Sequence, residues 1–308
     1  MSLKRDLRFY QDNLIDIEAF PDGFLPEVNN IIYENGDGNF QWIEESTKEL
    51  AEWNNIFRST YVRWALTING LHVARDKYND PNFYQNKAFT VGGFVNDNNT
   101  PKIGNLLVLD GQSAAKAHFE TVNMIASYGI IDLYGLIEEC ILSLFRIYWN
   151  HHPEKMLRGP ENKNARKLLR EKENSPEPWE AYWKERLDNW QRNKVYDGID
   201  KIFAGYYATC GMKIPSSYKD TTIESLSTSL KGVSILRNCL IHGTYNVPKE
   251  LADTANQEKV FEFPLAEGDK IGKNVFELKD YVEANLPEYE IRVSVLGHMQ
   301  RGGAPSCY

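Results

Sequence analysis

The longest helix-periodic stretch of apolar residues lies in the middle of the chain, between Val122 and Tyr148. Its apolar side chains recur at three- and four-residue steps, so that they can share one broad helix face. Four charged residues interrupt the stretch, which a membrane-spanning helix would not tolerate at low cost. We therefore predict a long, partly buried helix that begins at an N-cap within Gly111–Ser113. We expect it to bend or break near Gly129 and Gly135, because glycine weakens helices.

The composition is that of a packed, water-soluble protein: of 308 residues, 42% are apolar and 25% are charged, which excludes wholesale disorder. A formal net charge of −8 excludes a protein that coats nucleic acid by overall charge, although a local basic patch could still bind RNA. The four cysteines form no CxxC pair, so neither a zinc knuckle nor a disulfide framework is indicated. The first residues lack the apolar core of a secretory signal, and we expect a cytoplasmic protein.

Helical patterns flank the central stretch on both sides. An aromatic stripe from Trp42 to Trp64 recurs at helical spacing, and we interpret it as core rather than as a platform on which bases stack. Turn formers between residues 79 and 111 surround short β-prone runs, which predicts a loop-rich crossover with a small hairpin. Further on, Thr221 and Glu224 have the spacing of a capping box, and Gly243 is placed to end the helix that they begin.

The end of this last helix carries the residues best suited to chemistry. Asn238 and His242 are four residues apart and therefore lie one turn apart on one helix face, next to Arg237. A fixed guanidinium can bind two oxygens of a phosphodiester. An imidazole can accept the proton of a ribose 2′-hydroxyl or give one to the leaving 5′-oxygen, and the Asn238 amide can hold the imidazole tautomer or the substrate. These groups would suffice for metal-independent RNA cleavage.

A structural interpretation of the same residues stays open. An arginine and a histidine near a helix end are common, and a histidine cation at a C-terminus interacts favourably with the negative end of the helix dipole. Arg237 and His242 would then be helix-end residues without a catalytic role.

The string Arg-Asn-x-x-x-His-Gly, late in a helical region, resembles the signature of the HEPN superfamily of ribonucleases. That signature is an arginine, an adjacent polar residue and a histidine four to six positions on, and Arg237, Asn238 and His242 match all three. The resemblance covers residues 111–255 and implies a helical bundle that dimerises, so that two copies of the motif form one composite cleft. Many members are toxins or defence nucleases, which would imply an antitoxin partner, and others are non-catalytic modules that bind nucleotides or support assembly.

A basic segment precedes the motif. Between Lys155 and Lys172 there are seven Lys or Arg and two Glu, which gives a local charge of +5 in an acidic protein. The segment is either a patch that faces the phosphates of RNA or a solvated helix with ordinary charges. The candidate phosphate contacts are Lys155, Arg158, Lys163, Arg166, Lys167 and Arg170.

The last residues resemble a different family. The string from Ile291 to Ser306 is similar to the sugar-phosphate segment of 6-phosphofructokinases, and the resemblance covers residues 264–308. The residues that would contact a sugar phosphate by this resemblance are Glu267, Arg292, His298 and Arg301. The glycine-rich nucleotide loop and the acidic catalytic motif of those kinases are absent upstream. We therefore expect a fused fragment without kinase activity, either packed opportunistically or poorly ordered.

The sequence thus predicts a mainly α fold with three parts. These are an irregular, aromatic-rich N-terminal region over residues 1–110, a HEPN-like helical bundle over 111–255 and a short α/β-derived tail over 264–308. We expect an endoribonuclease whose partners are RNA or a nucleotide and a second copy of the chain, with no membrane association. No metal or cofactor is proposed, because no HxxxE, HExxH or Asp-x-Asp cluster with suitable helical spacing is present. A non-catalytic HEPN-like module that binds RNA or nucleotides is the alternative.

Overall fold

A computed structural model describes residues 32–34, 36–97, 100–194, 196–219, 221–244, 246–261, 264–269 and 271. Within these ranges the chain is mainly helical, as predicted, with one antiparallel pair of strands. The α-helices are α1 (Gln41–Asn79), α2 (Pro81–Tyr84), α3 (Gly111–His151), α4 (Pro153–Met156), α5 (Lys163–Glu171), α6 (Pro176–Lys194), α7 (Ile199–Cys210), α8 (Ile223–Ile241) and α9 (Lys249–Gln257). The strands are β1 (Phe89–Asp97) and β2 (Thr100–Leu109). None of the described helices is long and apolar enough to cross a membrane.

Helices α1 and α3 are the longest elements, with 39 and 41 residues, and they pack side by side in opposite directions. His151 Nε2, at the end of α3, lies 2.9 Å from the carboxylate of Glu45, at the start of α1. Nearer the middle, the indole N–H of Trp64 donates to Asp132 at 2.8 Å. At 1.5 Å per residue each helix is about 60 Å long, so this antiparallel pair forms the frame of the fold.

Helix α3 runs without a break through Gly129 and Gly135, so the break expected near them does not occur. Gly129 is buried, and a Cβ at Gly135 would meet no other atom. Glycine costs a helix only about 1 kcal/mol relative to alanine, and packing along α1 outweighs that cost. The N-cap is Asp110 rather than a residue of Gly111–Ser113, since its carboxylate accepts the backbone N–H of Ser113 at 2.7 Å.

The start of α8 also differs from the prediction by one residue. A capping box is present, but Thr222 and Ser225 form it instead of Thr221 and Glu224. Each hydroxyl accepts the other residue's backbone N–H at 3.0 Å. A serine hydroxyl can replace the usual carboxylate in this arrangement, and the helix therefore begins at Ile223.

One hydrophobic cluster joins the predicted N-terminal region to the predicted bundle. Ile68 of α1, Val122 of α3 and Leu236 of α8 lie in it, each at most 1% exposed. The described part of region 1–110 and that of region 111–255 therefore share a core. The aromatic stripe of α1 is only partly buried, since Trp42 lies in a second cluster with α3 and α7 whereas the side chain of Leu50 is half exposed.

The hairpin predicted between residues 79 and 111 is confirmed. Strands β1 and β2 pair from Phe89 opposite Leu109 onward, with a register shift between Val91 and Gly92. The hairpin connects the end of α2 to the start of α3. The motif helix α8 lies elsewhere, packed against α3, α7 and α9.

Candidate functional site

The C-terminus of α8 is fixed by a complete Schellman motif. The N–H of Thr244 donates to the carbonyl of Cys239 at 2.8 Å, and the N–H of Gly243 donates to that of Leu240 at 3.4 Å. Gly243 has a φ of +65°, the left-handed conformation that glycine adopts most readily. The predicted role of Gly243 as helix terminator is confirmed, and it places His242 at the C-cap.

The apolar and polar residues of the motif segment separate as the sequence indicated. Leu236 and Cys239 are buried against the core, whereas Asn238 and His242 are exposed on the outer side of the helix. Arg237 is half-buried. The structure therefore brings the three predicted catalytic residues together at one end of α8.

The guanidinium of Arg237 is held between two neighbours. Its central carbon lies 5.3 Å from the centroid of the Tyr134 ring, which is within cation–π distance. Its Nη1 donates a hydrogen bond of 2.9 Å to Oδ1 of Asn238. A guanidinium that stacks on a ring and binds its neighbour has fewer rotamers to lose when it meets a substrate oxygen.

Tyr134 comes from α3 and is 5% exposed. Its hydroxyl lies 3.2 Å from Oγ of Ser234 on α8, so the two helices are linked next to Arg237. Burial is the main cause that raises the pKa of Tyr134 above its ordinary value, and the nearby Arg237 opposes it. The phenol therefore stays neutral at physiological pH and presents an uncharged ring to the guanidinium.

Asn238 acts here as a partner of Arg237. Its carbonyl oxygen accepts a hydrogen bond from Nη1, and its NH₂ group can donate to a substrate. Among the described hydrogen bonds, Asn238 reaches His242 only through the backbone, whose carbonyl accepts the His242 N–H at 3.0 Å. Of the two roles predicted for the Asn238 amide, this geometry favours contact with the substrate.

Sequence reasoning missed Tyr134 and Ser234. The hydroxyls that join them belong to residues 100 positions apart in the chain. No local spacing around either residue marks the pair, because the contact depends on how α3 packs on α8. The only available signal was the presence of an aromatic residue within the long α3 pattern.

The basic segment does not form one patch. Lys155 is half-buried; its Nζ donates to the hydroxyl of Tyr148 and lies 4.8 Å from that ring. Arg166 donates to the backbone carbonyls of Leu157 and Gly159 and so stabilises the turn before α5. These two cations are engaged within the protein, and the assignment of all six as phosphate contacts stays a prediction. The side chains that remain exposed are Arg158, Lys163, Lys167 and Arg170.

The phosphofructokinase-like tail is described only at its beginning. Leu265 is buried, and its N–H and carbonyl both bind the side-chain amide of Asn256 on α9 at 2.8 and 2.7 Å. Glu267 is exposed in the turn that follows. The other three residues assigned by resemblance, Arg292, His298 and Arg301, lie outside the described residues.

The sequence resembles HEPN ribonucleases at the end of α8 and phosphofructokinases in its last residues. Comparison of the chain with protein-family models, with curated proteins and with solved structures finds no match. The first resemblance therefore depends on Arg237, Asn238 and His242 in their helical setting, and the second on the string within 264–308.

Proposed function

We propose that the protein is a metal-independent endoribonuclease of the HEPN type. The observation that carries the proposal is the position of the Arg237 guanidinium, which stacks on Tyr134 and binds Asn238 beside the exposed His242. A cation held at a solvent-facing helix end, next to an imidazole and an amide, suits a phosphodiester that enters from solvent.

In the proposed reaction the ribose 2′-oxygen attacks the adjacent phosphorus and the bond to the 5′-oxygen breaks. His242 accepts the 2′-hydroxyl proton or gives a proton to the leaving 5′-oxygen. Arg237 stabilises the additional negative charge on the phosphoryl oxygens in the transition state, and the Asn238 NH₂ orients the substrate. The products are a 2′,3′-cyclic phosphate and a 5′-hydroxyl, so no water or metal ion is consumed.

A second copy of the chain would supply the remaining proton-transfer group. The attacking 2′-oxygen and the leaving 5′-oxygen lie on opposite sides of phosphorus, so one imidazole cannot serve both at the same time. Two facing copies of His242 could act as base and acid, which agrees with the composite cleft that the HEPN resemblance implies. A toxin or defence role, with an antitoxin as partner, stays a prediction from that resemblance alone.

A non-catalytic module that binds RNA or nucleotides is the second candidate. It is favoured by one observation: within the described part of the chain, no side chain makes a hydrogen bond that would orient the His242 imidazole. Catalytic histidines are usually oriented by such a bond. In this alternative Arg237 and His242 contact the ligand, and binding weakens with salt without any product.

The two candidates are separated by measuring cleavage and binding of the same RNA with Arg237→Ala and His242→Ala. Lys231→Ala is the matched control, because Lys231 is exposed on the same helix and pairs with Glu250 at 3.1 Å. Catalysis predicts that both motif variants lose cleavage at least 100-fold while the control and all melting temperatures stay near wild type. Retained cleavage in both motif variants would exclude the proposed mechanism.

A further inference from the structure

A groove separate from the motif lies between α4 and the C-terminal half of α6. We call it the α6 groove; its volume is about 340 Å³, and its lining includes Met156, Arg186, Asn189, Trp190, Asn193 and Lys194. Five of these residues come from α6 at three- and four-residue spacing, so they form one helix face. A space of this size lies within the range of pockets that bind small organic molecules.

The apolar part of the α6 groove is rigid. Trp190 packs edge-on against the buried ring of Phe145, with 5.0 Å between the ring centroids. The other apolar wall, Met156, packs against the cluster formed by α5 and α6. Arg146 of α3 ties α6 in place through Asp188 at 3.0 Å and Gln191 at 2.8 Å. An indole fixed in this way can receive a planar ring without losing side-chain freedom.

The polar part of the groove carries one net positive charge. Lys194 is neutralised by Asp197, which also lines the groove, through a contact of 2.6 Å. Arg186 is exposed and makes none of the ion pairs or hydrogen bonds seen in the described part of the chain. Arg186 therefore supplies the net positive charge of the groove, with the amides of Asn189 and Asn193 on the same face.

We propose that the α6 groove binds one nucleotide, with its base against Trp190 and its phosphate at Arg186. An indole next to a guanidinium is the combination with which proteins hold single-stranded nucleic acid without regard to sequence. The exposed cations of α5, which packs on α6, extend positive charge beyond the groove. The nucleotide is either free or part of an RNA strand; in the second case the groove is a substrate subsite and rests on the proposed function.

The test measures binding to the full chain carrying His242→Ala, so that RNA would stay intact. The probes are uridine 5′-monophosphate and a five-residue oligouridylate, titrated by calorimetry. The variants are Arg186→Glu and, as matched control, Arg192→Glu, because Arg192 is exposed on α6 and does not line the groove. Asn193→Asp is a second groove variant, which keeps the test informative if Arg186→Glu lowers the melting temperature.

The proposal predicts that Arg186→Glu and Asn193→Asp weaken binding at least tenfold and Arg192→Glu less than twofold. If the groove variants weaken binding of the mononucleotide and of the RNA equally, a free nucleotide is sufficient for binding. If only the RNA binds, the groove is a subsite for an RNA strand. No saturable binding of either probe, or equal loss with Arg186→Glu and Arg192→Glu, would overturn it. RNA cleavage by wild type, measured in parallel, tests the proposed function separately.

Discussion

The guanidinium carbon of Arg237 lies 5.3 Å from the centre of the Tyr134 ring, and this contact joins the motif helix to the longest helix of the fold. The position of the candidate catalytic cation is therefore set by a residue outside the motif. Because Tyr134 is 5% exposed and linked to Ser234, the ring cannot turn away without disturbing the core.

Removal of the Tyr134 ring should weaken the proposed reaction. Tyr134→Leu abolishes a cation–π contact of about 0.5–2 kcal/mol, and we expect the single-turnover cleavage rate to fall roughly tenfold. Tyr134→Phe keeps the ring and loses only the bond to Ser234, so its rate should stay within about twofold of wild type. Both rates are measured well below the melting temperature of the variant. Equal rates in the folded Leu and Phe variants would show that the ring does not position Arg237.

The one-residue shift of the capping box is testable by substitution. Thr222→Ala removes the hydroxyl that accepts the Ser225 N–H, and we expect the free energy of unfolding to fall by about 1 kcal/mol. Thr221→Ala is the control and should change it by less than about 0.5 kcal/mol. Urea denaturation followed by circular dichroism gives both values. If Thr221→Ala lowers the free energy of unfolding more than Thr222→Ala does, the capping box lies at Thr221 and Glu224, as the sequence pattern alone predicts.

Gly243 should be difficult to replace because its φ is +65°. A Cβ in the left-handed region costs about 1–2 kcal/mol, so Gly243→Ala should lower the free energy of unfolding by that amount. Gly243→Asn should cost less, since asparagine tolerates this conformation. The denaturation midpoints of the two variants test whether Gly243→Asn is the more stable of the two. An alanine variant as stable as wild type would show that the helix does not need the left-handed residue after His242.

Stability should decrease at alkaline pH because two half-buried thiols, Cys140 and Cys210, resist ionisation in the folded state. Burial raises the pKa of Cys140 to about 11 and that of Cys210 to about 12, with Glu49 adding to the first shift and Lys155 opposing the second. In the unfolded chain a thiol ionises near pH 8.5, so above that pH the unfolded state binds fewer protons than the folded state. The free energy of unfolding should therefore fall as pH rises from about 8.5 towards 11 or 12.

Unfolding titrations of wild type and Cys210→Ala between pH 7 and 11 measure this dependence. The variant lacks one of the groups whose pKa burial raises, so its stability should fall less steeply above pH 8.5. A slope identical to wild type would mean that Cys210 ionises equally in both states.

Periodicity predicted the helices but not the way they contact each other. The apolar spacing of α3 identified a long helix, but the same sequence suggested a bend or break near Gly129 and Gly135, and the helix is continuous there because it packs along α1. The grouping of Arg237, Asn238 and His242 followed from spacing alone, because all three lie on one helix. The link to Tyr134 did not, since it depends on the tertiary contact between α3 and α8.

Charge counting was less informative than helix spacing. The +5 segment suggested a phosphate-facing patch, but charge is additive along the chain whereas exposure depends on the fold. Lys155 binds Tyr148 and Arg166 binds backbone carbonyls, and no sequence pattern distinguishes these cations from the exposed Lys163. No sequence pattern marks Arg186, because the groove forms only where the surface of α6 meets Met156 of α4 in the fold.

The most direct test of the proposed function is the chemistry of the RNA ends. Purified wild type and His242→Ala are incubated with RNA in EDTA, and the termini of any fragments are analysed. The proposed mechanism predicts cleavage by wild type only, leaving 2′,3′-cyclic phosphate and 5′-hydroxyl ends. Equal cleavage by both proteins, fragments with other termini, or no cleavage by wild type would contradict it.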